Sequence, residues 1–221
     1  MDFVFMLTRS DQTVTDCLEV LDDIRALGIA HIGFKDVGVS RDVLAELVRQ
    51  IKEAGSTCYM EVVSTSREAC LRSARVARYI GIDVLLGGTQ VEEVLEILAG
   101  SAVRYLPFPG QPFEHPTKLA GSPAQVEDDC CRFQAMGCAG VDLLAYRATE
   151  ADPLELVRAA RRGSDGILLV AGSIRRPEQI RDLASAGADA FTIGSAVFDG
   201  SFAPRLGSLR SQLRAVLDAC G

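Results

Sequence analysis

Seven glycines constrain this chain more than any other feature: Gly28, Gly55, Gly81, Gly100, Gly137, Gly163 and Gly187. Each follows a segment with apolar residues at helical spacing, such as Val14, Leu18, Leu21 and Ile24, and each leads into a short apolar run. A glycine just past the last helical residue adopts the left-handed conformation that closes a helix at no steric cost. Helix, glycine, strand, repeated roughly every 27 residues, is regular βα alternation, and eight such units fill the 221 residues. Strands are predicted at Asp2–Thr8, His31–Lys35, Thr57–Val63, Val84–Gly87, Val103–Pro107, Gly140–Tyr146, Ile167–Gly172 and Ala190–Gly194. The expected fold is therefore α/β, one domain over residues 1–221, a single (β/α)8 barrel of the TIM type. Thr13-Val14-Thr15-Asp16 reads as a capping box for the first helix.

Composition narrows the function classes. No apolar run reaches the 18 or so residues of a membrane span, and Met1 precedes a core-like strand rather than a basic leader, so a cytoplasmic protein without a membrane partner is expected. The net charge of −7 argues against a nucleic-acid surface, and it requires an anionic ligand to be met by a local positive pocket, for which Arg175 and Arg176 are available. Seven cysteines without C-x-x-C spacing read as free, mostly buried thiols. Two histidines, His31 and His115, are too few and too far apart in sequence for a histidine-rich metal site, and no metal or other cofactor is expected.

The stretch from Gly166 to Phe198 places a small-residue pair, Gly172-Ser173 and Gly194-Ser195, after each of two consecutive apolar runs. Glycine lets backbone approach a ligand closely, and the amides that follow have no partner within a helix. Two such corners side by side form a cup for a phosphate, assisted by helix dipoles. Gly172-Ser173-Ile174, Ala186-Gly187-Ala188-Asp189-Ala190 and Ile193-Gly194-Ser195-Ala196 resemble the last two strands of the ribulose-phosphate-binding barrels. That resemblance implies phosphate binding at Gly172, Ser173, Gly194 and Ser195. Over its whole length the chain is also similar to small bacterial barrels labelled 4-hydroxythreonine-4-phosphate dehydrogenase. That activity would imply NAD and a histidine-held metal, and no G-x-G-x-x-G follows a strand here.

Side chains at the C-terminal ends of barrel strands face the active site, and alternation selects which point inward. On that basis Gly33 and Lys35, Tyr59 and Glu61, and Asp142 face the axis, with Lys35 and Glu61 level on neighbouring strands. Lys35 stands out because the other two lysines, Lys52 and Lys118, read as surface positions. A buried lysine can act as a base or form an imine, whereas arginine cannot lose its proton. The simpler alternative is a permanent Lys35–Glu61 ion pair joining two strands. Lys35, Glu61 and Asp142 are the catalytic candidates, Asp142 also being a structural partner for Arg104 or Lys35. Asp36 should point away from the axis and brace the next loop, while Thr89, Tyr146 and Arg147 are weaker candidates for substrate contact. The proline-rich segment from Pro107 to Pro123 is a candidate lid or a static rim loop.

The resemblance is not complete. The histidine- and tryptophan-pathway isomerases use an acidic or thiol residue at the end of the first strand and an aspartate at the fifth, where this chain offers Thr8-Arg9 and Pro107. The D-x-K-x-x-D pattern of the decarboxylase branch is also missing. The expected partner is a small phosphorylated metabolite, with a homo-oligomer left open. The expected activity is aldol cleavage or isomerisation/epimerisation next to a carbonyl on a phosphorylated sugar or sugar acid. Lys35 would act through an imine, or as general base with Glu61 as acid. Alternatives are a non-catalytic phosphometabolite-binding barrel, an FMN-binding oxidoreductase, or the dehydrogenase activity that the label carries.

Overall fold

The structure, a computed structural model, describes residues 1–220. Eight parallel strands form one sheet: β1 (Asp2–Met6), β2 (His31–Lys35), β3 (Thr57–Val62), β4 (Val84–Gly87), β5 (Arg104–Leu106), β6 (Gly140–Leu143), β7 (Ile167–Val170) and β8 (Ala190–Ile193). Their order in space is β6-β7-β8-β1-β2-β3-β4-β5, all neighbours in parallel register. The two edges of that sheet then meet, the Ala139 amide donating to the Tyr105 carbonyl at 3.0 Å and the Asp142 amide to the Pro107 carbonyl at 2.9 Å. These bonds close the barrel expected from the sequence.

Around it run α1 (Cys17–Ile24), α2 (Arg41–Glu53), α3 (Arg67–Ile80), α4 (Val91–Leu98), α5 (Pro123–Ala135), α6 (Pro153–Gly163), α7 (Pro177–Ala186), the single turn α8 (Ser195–Phe198) and α9 (Leu209–Ala219). Each long helix turns one stripe inward; in α2 it is Leu44, Leu47, Val48 and Ile51, spaced i, i+3, i+4 and i+7. Burying such side chains stabilises the fold by about 1.5–3 kcal/mol each. Polar residues fix the helix starts: Ser40, Ser66 and Ser122 accept from amides three residues on, and Asp152 accepts from Leu154 and Glu155. No helix among the described residues is long and apolar enough to cross a membrane.

Gly28, Gly55, Gly81, Gly100, Gly137 and Gly187 all have positive φ behind their helices, as expected. Gly163 does not. It is the last residue of α6, where a Cβ would come within 2.4 Å of the Glu127 carbonyl oxygen, so its role is close approach of α6 to α5. The capping box at Thr13 does not form either: α1 starts at Cys17 behind Asp16, whose side chain makes no cap bond. Thr8–Arg9 instead pairs with Gln12–Thr13 in a small antiparallel hairpin above β1. The segment from Pro107 to Pro123 holds a second hairpin, Gln111–Phe113 with Lys118–Ala120. All seven cysteines are free thiols, with Cys17, Cys58, Cys70 and Cys130 buried.

Candidate active site

At the C-terminal mouth of the barrel a cavity encloses about 600 Å³ of empty space, part of it open to solvent. Lys35 and Glu61 form one side of it, and the corners Gly172-Ser173 and Gly194-Ser195 form the other. The strand register explains the first pair, since Lys35 on β2 lies directly beside Glu61 on β3. Lys35 Nζ donates to Glu61 Oε1 at 3.1 Å and to Asp11 Oδ1 at 2.7 Å.

Asp11 was not among the residues expected from the sequence. It sits at the tip of the first hairpin, in a two-residue turn whose members, Ser10 and Asp11, have φ of 51° and 57°. Its carboxylate also receives both ends of the Arg147 guanidinium, Nη2 to Oδ1 at 3.0 Å and Nη1 to Oδ2 at 3.2 Å. An acidic side chain thus reaches the mouth of the barrel near the end of β1, three residues after Thr8. Arg147, expected only as a weak contact, lies in the middle of the site. Its stem runs over Gly172, where a Cβ would come within 2.3 Å of Nε, and Nη1 also donates to the Thr117 carbonyl at 3.1 Å.

Electrostatics fix the charge states. Burial acts to lower the Lys35 pKa, but the charges of Glu61 and Asp11 and the Asp11 hydrogen bond outweigh it, and Lys35 is held above the ordinary lysine value. Asp11 is raised by burial and lowered more strongly by Arg147 and Lys35, so it stays well below the usual carboxylate range. Asp142 behaves in the opposite way. It is fully buried on β6, neither carboxylate oxygen has a hydrogen-bond partner among the described residues, and it does not line the cavity. Burial, then the charge of Glu61, push its pKa well above the ordinary value, against the pull of Lys35 and Arg147. Asp142 thus lies behind the cluster with its ionisation opposed by burial, bonded to neither Lys35 nor Arg104.

Other expected residues fall where alternation puts them, or elsewhere. Asp36 accepts from the Val63 amide at 3.0 Å and from the Ser73 hydroxyl, bracing the loop after β3. Thr89 lines a separate groove with Arg132 and Met136, and Tyr146 lines neither that groove nor the cavity. Among the described residues, the amides of Ser173, Ile174, Ser195 and Ala196 find no backbone or side-chain acceptor. Ser173 has φ 59°, unusual for a residue with a side chain. Because α8 is one turn long, the dipole support expected behind Gly194 is small, and these amides with Arg175 are the positive groups on that side.

The first hairpin also holds Lys35 by its backbone. Thr13 Oγ1 accepts from the Lys35 amide at 2.9 Å and donates to the Lys35 carbonyl at 2.7 Å, where β1 has already ended. Thr13→Val keeps the shape and leaves both buried groups short of a partner. We expect it to cost about 1–3 kcal/mol, read as a lower urea midpoint with an unchanged m value.

No family model and no curated protein matches the sequence. Among solved structures, a cube-shaped, highly porous protein cage designed by fusing symmetric oligomeric domains aligns at TM-score 0.67 and 11% identity, covering 99% of this chain and 73% of the other. Two mutant tryptophan synthase alpha-subunits from the hyperthermophile Pyrococcus furiosus align at TM-score 0.66 and 16% identity, each covering 98% of both chains. At such identities the shared property is the fold, and by that measure this chain is an α/β barrel built like those subunits.

Proposed function

We propose that the barrel is an enzyme that moves a proton next to the carbonyl of a small phosphorylated sugar or sugar acid, with isomerisation, epimerisation or aldol cleavage as the outcome. One observation carries the reading: the unpaired amides at Gly172-Ser173 and Gly194-Ser195 share a cavity with the Lys35–Glu61 pair. A phosphate on the amides would put the carbon skeleton over the charged groups. The structural likeness to tryptophan synthase alpha-subunits supports a barrel enzyme.

The ion pairs favour roles opposite to those expected from sequence. Lys35, kept as an ammonium by two carboxylates, is suited to hydrogen-bond the carbonyl oxygen and stabilise the enolate formed there. Glu61 gives only Oε1 to Lys35 and faces the cavity, so its carboxylate is the group to take the proton from the adjacent carbon. Asp142, away from the cavity wall and without a hydrogen-bond partner among the described residues, touches no reacting group in this scheme.

The test is isotope exchange. In D2O, with dihydroxyacetone phosphate and ribulose 5-phosphate as probes, deuterium should enter the carbon next to the carbonyl, and Glu61→Gln should slow this by at least about a hundredfold. Borohydride should leave no adduct on Lys35. An adduct would support the imine route instead, and tight phosphate-ester binding without exchange would support a non-catalytic binding barrel.

A further inference from the structure

Resting on that reading, we propose that the ligand carries a carboxylate as well as a phosphate, and that this carboxylate replaces Asp11 on Lys35 and Arg147. In the free protein Asp11 occupies a ready-made carboxylate receptor: a bidentate guanidinium at 3.0 and 3.2 Å and an ammonium at 2.7 Å on one shared group. Arg147 crosses Gly172, so the receptor lies next to the amides assigned to the phosphate.

Three features mark Asp11 as the replaceable partner. It comes from the tip of a short hairpin, whereas Lys35 comes from a barrel strand and Arg147 from the turn that follows β6. Both tip residues occupy left-handed backbone space, which aspartate tolerates and serine tolerates less readily, so the tip is a tight turn at the end of two short arms rather than part of the barrel wall. Asp11 also borders two cavities at once, the inner one and an outer one lined by Arg9, Lys118 and Arg175.

Charge balance selects exchange over simple addition. In the ion-paired cluster two cations, Lys35 and Arg147, face two carboxylates, Asp11 and Glu61, so the cluster is neutral. A ligand carboxylate added to it would leave an uncompensated buried anion, while one that takes the place of Asp11 keeps the cluster neutral. A neutral ligand group in this position offers no bidentate acceptor and leaves Asp11 where it is.

The experiment compares 3-phosphoglycerate with glycerol 3-phosphate, which differ only in carboxylate against hydroxymethyl, by calorimetric titration of the full chain. The wild-type chain should prefer the phosphoglycerate, and Asp11→Asn, which removes the competing charge, should increase that preference by about tenfold. Arg147→Met should abolish the preference while glycerol 3-phosphate still binds, so the outcome does not depend on Asp11→Asn alone. Binding of both esters with equal affinity in all three proteins overturns this inference and leaves the phosphate reading intact. Binding of neither ester overturns both.

Discussion

Replacing Lys35 by methionine is expected to abolish exchange and to destabilise the protein by about 3–5 kcal/mol, the usual penalty when one member of a buried ion cluster is removed. Lys35 is buried between Asp11 and Glu61, whose side chains are themselves nearly inaccessible. Methionine fills much of the same space, so the loss comes from two carboxylates facing each other with one cation fewer. Asp11 keeps Arg147, but Glu61 keeps no hydrogen-bond donor. The double variant Lys35→Met with Glu61→Gln should therefore recover most of the lost stability in urea titrations while remaining inactive. The double variant carries only the stability half of the test, because Glu61→Gln by itself removes the proposed base. The chemistry is read in the single variant where it folds: a strand-joining ion pair predicts unchanged exchange there, and an electrophilic ammonium predicts that exchange is lost. Exchange persisting in Lys35→Met would sink the catalytic reading.

The barrel was legible because its signals are local. Helical spacing followed by glycine is a statement about neighbouring residues, and it located all eight strands. Their ends were read too long wherever a strand runs into a turn whose residues are still apolar. β6 stops at Leu143 because Ala145–Arg147 form a tight helical turn, yet Leu144 and Ala145 look like strand in the sequence. Gly163 departs from the cap expected of it for a related reason: a glycine at a helix end serves equally to let a neighbouring backbone approach, and the sequence does not say which neighbour is there.

The site was half legible. Lys35 and Glu61 followed from alternation along two strands and from the rarity of lysine. Asp11 and the central position of Arg147 did not, because both depend on where loops fold back. The signal for Asp11 was present in Thr8-Arg9-Ser10-Asp11-Gln12-Thr13, two short polar arms around a two-residue turn. Thr13 could equally be read as a helix cap, and that reading hid the hairpin. Its hydroxyl instead holds the backbone of Lys35, a contact across 22 residues that local pattern does not encode. Arg147 is expected only as a weaker substrate contact, because it follows a strand end. The helical turn at Ala145–Arg147 brings its side chain back over Gly172.

Asp142 is expected to make stability depend on pH. An unfolded aspartate loses its proton near pH 4, whereas the folded chain holds Asp142 protonated to a much higher pH because burial and the charge of Glu61 oppose ionisation. Across that interval the native state binds the extra proton, so stability falls as pH rises, by about 1.4 kcal/mol per unit, until the folded-state pKa is passed. Below the unfolded value the contribution is fully present. Asp142→Asn keeps the size and removes the titration. Relative to wild type it should therefore be close to neutral at pH 4 and increasingly stabilising towards pH 7, when the two proteins are compared by urea unfolding at several pH values. Asp36, also raised by burial, gives a slope of the same sign, but it is present in both proteins and cancels from the difference. Parallel stability curves would mean that Asp142 finds a cation or a donor in solution that balances its charge. The site would then hold one more negative group beside Glu61, and Glu61 would be a poorer partner for an incoming anion than the neutral cluster implies.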